Sequence, residues 1–297
     1  MKRHERLSTN WLSIAKIIWL IGTLMALALF ARRIPELIDF STLLVPPLLI
    51  GGLAISVSHA CVSGIREITT RGEERPLNYR ENAVIFNASN LSKYLPIPAF
   101  NIAVMGWMLK RAGLSSLGAG RSILLGVYWT ASSALLIGLP ALSGILSGFL
   151  LGTICWVGPL IWLFLIALRP ERWIGIHLPY SPFRLGLLQL GVWVGYGAAF
   201  ALTTYAVSTS ISAISSFAVL DWIRIGAGYI FSYGAGLLAI FAPAGAGVRE
   251  AGLALALSDY ANPVTWVAIA ILARAVIFLG DLFFAAIVLI LGRQKTK

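Results

Sequence analysis

Leu185-Gly-Leu-Leu-Gln-Leu-Gly-Val-Trp-Val-Gly-Tyr-Gly-Ala-Ala-Phe-Ala-Leu-Thr-Thr-Tyr-Ala-Val207 runs for 23 residues without a charged side chain. As a helix rising 1.5 Å per residue it would reach about 35 Å, enough to cross a hydrocarbon layer of about 30 Å. The apolar residues are continuous and do not alternate, which argues against a strand of a transmembrane barrel. Comparable runs fall at about 11 to 31, 41 to 64, 122 to 141, 144 to 168 and 264 to 292. Six spans are expected, in an all-α polytopic membrane protein. The whole chain agrees: 297 residues are 58% hydrophobic and only 12% charged, with a mean hydropathy of +0.84. That leaves too little polar surface to solvate a globular domain, so a water-soluble enzyme is excluded.

A net charge of +11 would raise nucleic acid as a partner of a soluble chain. Here the basic residues are scattered through short loops between apolar runs, as expected of residues that set topology and meet anionic headgroups. No nucleic acid partner is expected. Cys61 and Cys155 both fall inside apolar runs, so neither a disulfide framework nor a metal pair is indicated, and no metal or cofactor is expected. Met1 to Arg6 is basic and precedes a long apolar stretch, Trp11 to Ala31, closed by Arg32-Arg33. The stretch exceeds a usual signal-peptide core and reads as an uncleaved first span.

Two segments are less regular. Residues 82 to 109 mix Asn87, Asn90, Lys93 and Asn101 with apolar residues, and 222 to 258 is interrupted by Pro243 and glycines. Each could be a span, an interfacial helix or a re-entrant hairpin. If both enter and leave by one face, with the N-terminus inside, sixteen Lys and Arg lie inside and three, Arg32, Arg33 and Arg224, outside. Full crossing by 222 to 242 weakens that to fourteen against six, so the re-entrant arrangement is favoured, with both termini cytoplasmic. The chain then reads as one integral membrane domain, residues 1–297, with the order span, span, re-entrant segment, span in 1–143 and again, inverted, in 144–297. Inverted repeats with broken helices at mid-membrane are a transporter architecture. Glycines spaced by four, Gly144, Gly148 and Gly152, then Gly191 and Gly195, suit close helix packing within the monomer or at a homodimer interface.

The chemistry concentrates at the breaks. In Phe241-Ala-Pro-Ala-Gly-Ala-Gly-Val-Arg-Glu-Ala-Gly252, Pro243 removes a backbone donor and Gly245 and Gly247 permit tight turns. Irregular backbone is tolerated at membrane depth only inside protein or beside a cavity. Arg249 and Glu250 then open a short apolar helix, and an intramembrane arginine is costly enough to imply a partner or a wet pathway. Arg274 and Asp281 share one face of the last span, about 10 Å apart, so they do not pair with each other, and Glu250 is the natural partner of Arg274. In Asn87-Ala-Ser-Asn-Leu-Ser-Lys-Tyr-Leu-Pro-Ile-Pro98, amides and Lys93 precede a break at Pro96 and Pro98. Lys93 could hold an anionic headgroup or snorkel to the interface. Ser56, His59 and Ser63 share a helical face. Without a nucleophile motif, a polar cavity wall is a better reading than a hydrolase.

The stretch Pro-Ala-Gly-Ala-Gly-Val-Arg-Glu-Ala-Gly, residues 243–252, resembles the Pro-x-Gly-x-Gly-x-Arg-Glu signature of the flippase-like transmembrane domain found in lysylphosphatidylglycerol synthases and free-standing relatives. Asn90-Leu-Ser-Lys-Tyr-Leu-Pro96, the helix end Leu109-Lys-Arg-Ala-Gly113 and Arg274 are also similar, while Ile97 stands where many relatives have glycine. No transferase domain follows the last span here, and the synthase activity is not expected to carry over. The resemblance implies movement of an anionic phospholipid or polyprenyl-linked headgroup across a cell membrane, in a groove lined by Asn90, Lys93, Arg249, Glu250, Arg274 and Asp281. A membrane-embedded transferase or hydrolase using Glu250 or His59 as base is one rival. A non-catalytic subunit of an envelope lipid or glycan synthesis complex is another. There is no P-loop, so ATP use by this chain is not expected.

Overall fold

The structure is a computed structural model that describes residues 38–94, 100–144, 153–169, 171–172, 178–208, 217–239, 245 and 247–293. The expected first span, Pro96, Ile97, Pro98, Pro243 and most of the Gly144–Gly152 stripe lie outside the described residues. Among those described are nine α-helices and no strand: α1 Val45–Thr70, α2 Tyr79–Leu91, α3 Phe100–Arg111, α4 Ser116–Gly138, α5 Gly158–Leu168, α6 Pro182–Ala206, α7 Val219–Leu238, α8 Val248–Ala256 and α9 Pro263–Arg293. The protein is an all-α polytopic membrane protein. Four helices are long and apolar enough to cross a bilayer: α1, α4 with its 3-10 extension, α6 and α9. Of the other two expected spans, one lies outside the described residues. The other, 144 to 168, is described from Thr153 and provides a shorter apolar helix, Thr153–Leu168.

The helix starts are written locally. Pro46 and Pro47 open α1, where the missing N–H groups would be unbonded anyway. Asn78 and Glu81 form a reciprocal capping box on α2, Ser115 caps α4, and Ser181 with Pro182 opens α6. Gly113 closes α3 at φ +100°, a backbone conformation that favours glycine.

Small residues bring α1 against two neighbours at once. A Cβ on Gly195 of α6 would lie 2.0 Å from Ser58 Oγ and 2.6 Å from the Ala54 carbonyl, and one on Gly191 would lie 2.6 Å from Cys61 Sγ. The spacing of Gly191 and Gly195 therefore serves packing within the monomer. On the other side, a Cβ on Gly280 of α9 would meet Ile55 at 2.5 Å. Helix backbones this close exclude lipid and let hydroxyls bond across: Ser58 Oγ donates to Val192 O at 3.0 Å, and Ser56 Oγ to Gly280 O at 3.0 Å. Trp162, Trp193, Phe200 and Trp266 fill the buried core around this seam.

Each irregular segment resolves into two helices. In the first, α2 packs on α3 with the turn Ser92–Tyr94 after α2. In the second, α7 packs on α8. Contacts of α2 and α8 with α9 bring the ends of both segments to the same long helix.

Candidate functional site

Asp281 lies on α9 with no exposure, and an ionised carboxylate there needs compensation from several sides. The first broken segment supplies most of it. Lys93 Nζ stands 2.8 Å from Asp281 Oδ2, Asn90 Nδ2 donates to Oδ1 at 2.9 Å, and Tyr94 OH donates to Oδ2. Lys93 also donates to Asn90 Oδ1 at 3.1 Å, so the three residues at the end of α2 are mutually oriented. From α1, His59 Nε2 lies 3.2 Å from Asp281 Oδ1 and 3.1 Å from Tyr196 OH on α6. Its ring is boxed by Phe86 and Phe284 with centroids at 5.3 and 5.5 Å. Lys93 is thus neither a free anion clamp nor a snorkelling chain: its ammonium is committed to Asp281.

The second segment holds the other charge of α9. Arg274 Nε donates to Glu250 Oε1 at 2.8 Å, with Nη2 on the same oxygen. The remaining oxygen, Oε2, accepts the N–H of Gly247 at 2.7 Å and so caps α8. Both oxygens of this buried carboxylate are used. Gly247 takes φ +83° and Gly245 φ +68°, so the turn into α8 follows a path that residues with a Cβ rarely adopt.

Arg249 follows a different course. Glu250 is engaged by Arg274, and no ion pair joins it to Arg249 among the described residues. The Arg249 guanidinium lies 3.8 Å over the ring of Tyr233, an attractive cation–π arrangement. Its Nε is buried without a hydrogen-bond partner, whereas the side chain as a whole remains partly exposed. Glycines make the room: a Cβ on Gly236 would sit 2.5 Å from Arg249 Cγ, and one on Gly245 2.8 Å from Nε. Around Tyr233 stand Tyr196 and Tyr229, with ring centroids at 5.1 and 6.3 Å.

The two clusters are continuous. Asp281 reaches His59, His59 reaches Tyr196, and Tyr196 packs on Tyr233 beneath Arg249. The seam therefore contains every polar site residue expected from the sequence. It adds Tyr94, Tyr196, Tyr229, Tyr233 and Gly236, which sequence reasoning missed. A signal existed for two of them, because Tyr229 and Tyr233 are four apart on α7 and share a face leading to the break. The serine and histidine face of α1 resolves otherwise: Ser63 Oγ donates to His59 O and Ser56 Oγ to helix carbonyls, so neither hydroxyl is offered to the imidazole.

No known protein-family model matches this chain, and no curated protein matches its sequence.

Proposed function

We propose that the chain carries an anionic lipid headgroup, of a phospholipid or a polyprenyl-linked substrate, across a cell membrane. The observation that carries this reading is Arg249: a partly exposed side chain whose buried Nε has no hydrogen-bond partner, in the first turn of α8 and over the Tyr233 ring. Lys93 and Arg274 are paired with Asp281 and Glu250, whereas Arg249 has no ion pair among the described residues, which leaves its guanidinium charge for a phosphate. Tyr196, Tyr229 and Tyr233 add hydroxyls near it on a wall that is otherwise aromatic. Such a wall lets a headgroup exchange water for fixed polar groups, which lowers the desolvation barrier to flipping while acyl chains remain in lipid. The resemblance of residues 243–252 to the flippase-like domain supports the same reading.

An embedded hydrolase or transferase is the second reading, favoured by the close approach of His59 to Asp281. It is the weaker one, since Asp281 already meets Lys93, Asn90 and Tyr94, and both serines near His59 bond to backbone. Purified protein reconstituted into liposomes should speed exchange of a labelled anionic lipid between leaflets and return it chemically unchanged. Recovery of a modified lipid would replace transport with catalysis.

A further inference from the structure

Asp281 has four partners. Asn90 Nδ2 and His59 Nε2 stand at Oδ1, Lys93 Nζ and Tyr94 OH at Oδ2, which fills the acceptor capacity of a carboxylate. Glu250 gives Oε1 to Nε and Nη2 of Arg274 and Oε2 to the N–H of Gly247. Both side chains are buried, so a new cation could reach either only by displacing the one already there. The stretches 95–99, after Tyr94, and 240–246, before Arg249, contain no Asp or Glu.

The aromatic wall is engaged in the same way. Arg249 lies over Tyr233, and Tyr229 stacks on Phe200 with ring centroids 4.8 Å apart and on Tyr196 at 6.5 Å. An ammonium group seeking a ring face competes with these neighbours. A headgroup that carries one would therefore lose its water in the seam with no countercharge in return, and an uncompensated buried charge is costly. A phosphodiester is treated differently, because Arg249 has no ion pair among the described residues and its buried Nε lacks a partner.

We infer that the seam selects phosphodiesters whose headgroup carries no ammonium group, on a glycerolipid or a polyprenyl chain, and that the saturated carboxylates Asp281 and Glu250 enforce the choice. This rests on the headgroup role proposed above for Arg249 and names the substrate class of that site.

The test places the full chain in phosphatidylcholine vesicles with a trace of labelled phosphatidylglycerol, polyprenyl phosphohexose, phosphatidylserine or phosphatidylethanolamine, and reads exchange between leaflets. Binding of the same four probes in detergent is read by native mass spectrometry. At least one of the two ammonium-free probes should exchange and bind about tenfold better than either ammonium lipid, and the better of the two identifies the chain the site serves. Phosphatidylserine is the decisive comparison, since it matches phosphatidylglycerol in net charge and differs in carrying an ammonium group. Arg249→Gln should reduce the preferred probe to the level of phosphatidylethanolamine. Arg274→Gln, which releases an oxygen of Glu250, should raise phosphatidylserine relative to the preferred probe by about fivefold. Phosphatidylserine exchanged as fast as both ammonium-free probes would overturn the selectivity and leave the transport reading standing. Exchange of no probe would remove the transport reading, and binding then decides the class: a preference for an ammonium-free probe that Arg249→Gln abolishes upholds it, while equal binding or none overturns it. An unchanged ratio in folded Arg274→Gln would overturn the part given to the carboxylates, and the wild-type comparison stands whether or not that variant folds.

Discussion

Lys93 Nζ lies 2.8 Å from Asp281 Oδ2, although 188 positions separate them in the chain. The bond ties the end of α2 to the long helix α9. Removing one partner strands a buried charge, whereas removing both need not. Lys93→Ala should destabilise the protein by about 3 kcal/mol, and Lys93→Ala with Asp281→Asn should recover much of that loss. Denaturant unfolding in detergent measures both. Equal destabilisation in the single and double variants would show that the pair does not hold this junction.

Arg249→Lys keeps the charge and loses the planar fork. Hydrogen bonds to charged groups contribute about 1.5–3 kcal/mol, so leaflet exchange should slow by about ten- to a hundredfold while unfolding stays near wild type. Glu250→Gln with Arg274→Gln, which removes the pair that Glu250 actually makes, should fold and retain more exchange than Arg249→Lys does. Exchange unchanged in Arg249→Lys would discard the headgroup role.

Gly195 allows no side chain where it stands. A Cβ there would press on Ser58 Oγ and on the α1 backbone, so Gly195→Ala should cost about 1–3 kcal/mol and Gly195→Leu should abolish folding. Thermal unfolding of the alanine variant is the measure. Wild-type stability in Gly195→Ala would contradict the close approach of α1 and α6.

The two ends of the bundle can be separated by labelling. Ser116 starts α4, near the end of α1, while Ser258 follows α8 near the start of α9. Both are exposed. With Cys61 and Cys155 replaced, single cysteines at these positions should react with an impermeant reagent from opposite sides of a sealed vesicle. Reaction of both from one side would exclude this arrangement of the spans.

Tyr260, in the turn before α9, donates to Asp221 Oδ1 at 2.8 Å and accepts from Arg224 Nη1 at 2.6 Å. Burial, then the Asp221 hydrogen bond, raises its pKa above the usual tyrosine value. A raised folded-state pKa means its stabilisation is complete below the unfolded pKa of about 10 and is lost as pH rises through the folded value. The stability gap between wild type and Tyr260→Phe should be constant from pH 7 to about 9 and close at higher pH. A gap that changes between pH 7 and 9 would assign it to another group.

The spans were legible because hydrocarbon demands continuous apolar sequence: the run 122 to 141 falls within α4 with its 3-10 extension, and 185 to 207 overruns α6 by one residue. Of the expected breaks, Gly245 and Gly247 do take positive φ, while Pro96, Pro98 and Pro243 lie outside the described residues. Arg274 with Glu250 followed from the need of each buried charge for a partner. The partners of Asp281 did not follow, since four residues on three other elements surround it and no local spacing records that meeting. In sequence the nearest polar groups to His59 are the serines of its own helix, whereas its polar side-chain contacts lie on α6 and α9. The tyrosines escaped notice because in an apolar run they pass for ordinary core aromatics until a hydroxyl is seen to face a charge.

The seam has one more consequence, drawn from its charges. Lys93 cancels Asp281 and Arg274 cancels Glu250, so among these five side chains a charge of +1 is left at Arg249. A membrane protein must keep ion gradients intact while it works. A second positive charge approaching Arg249 to 4 Å would be repelled by about 4 kcal/mol at an effective dielectric constant of 20. On the transport function proposed above, sodium, potassium and hydronium ions would meet a barrier where a phosphate would meet a partner, and the feature proposed to accept an anion would also guard the bilayer against cation leak.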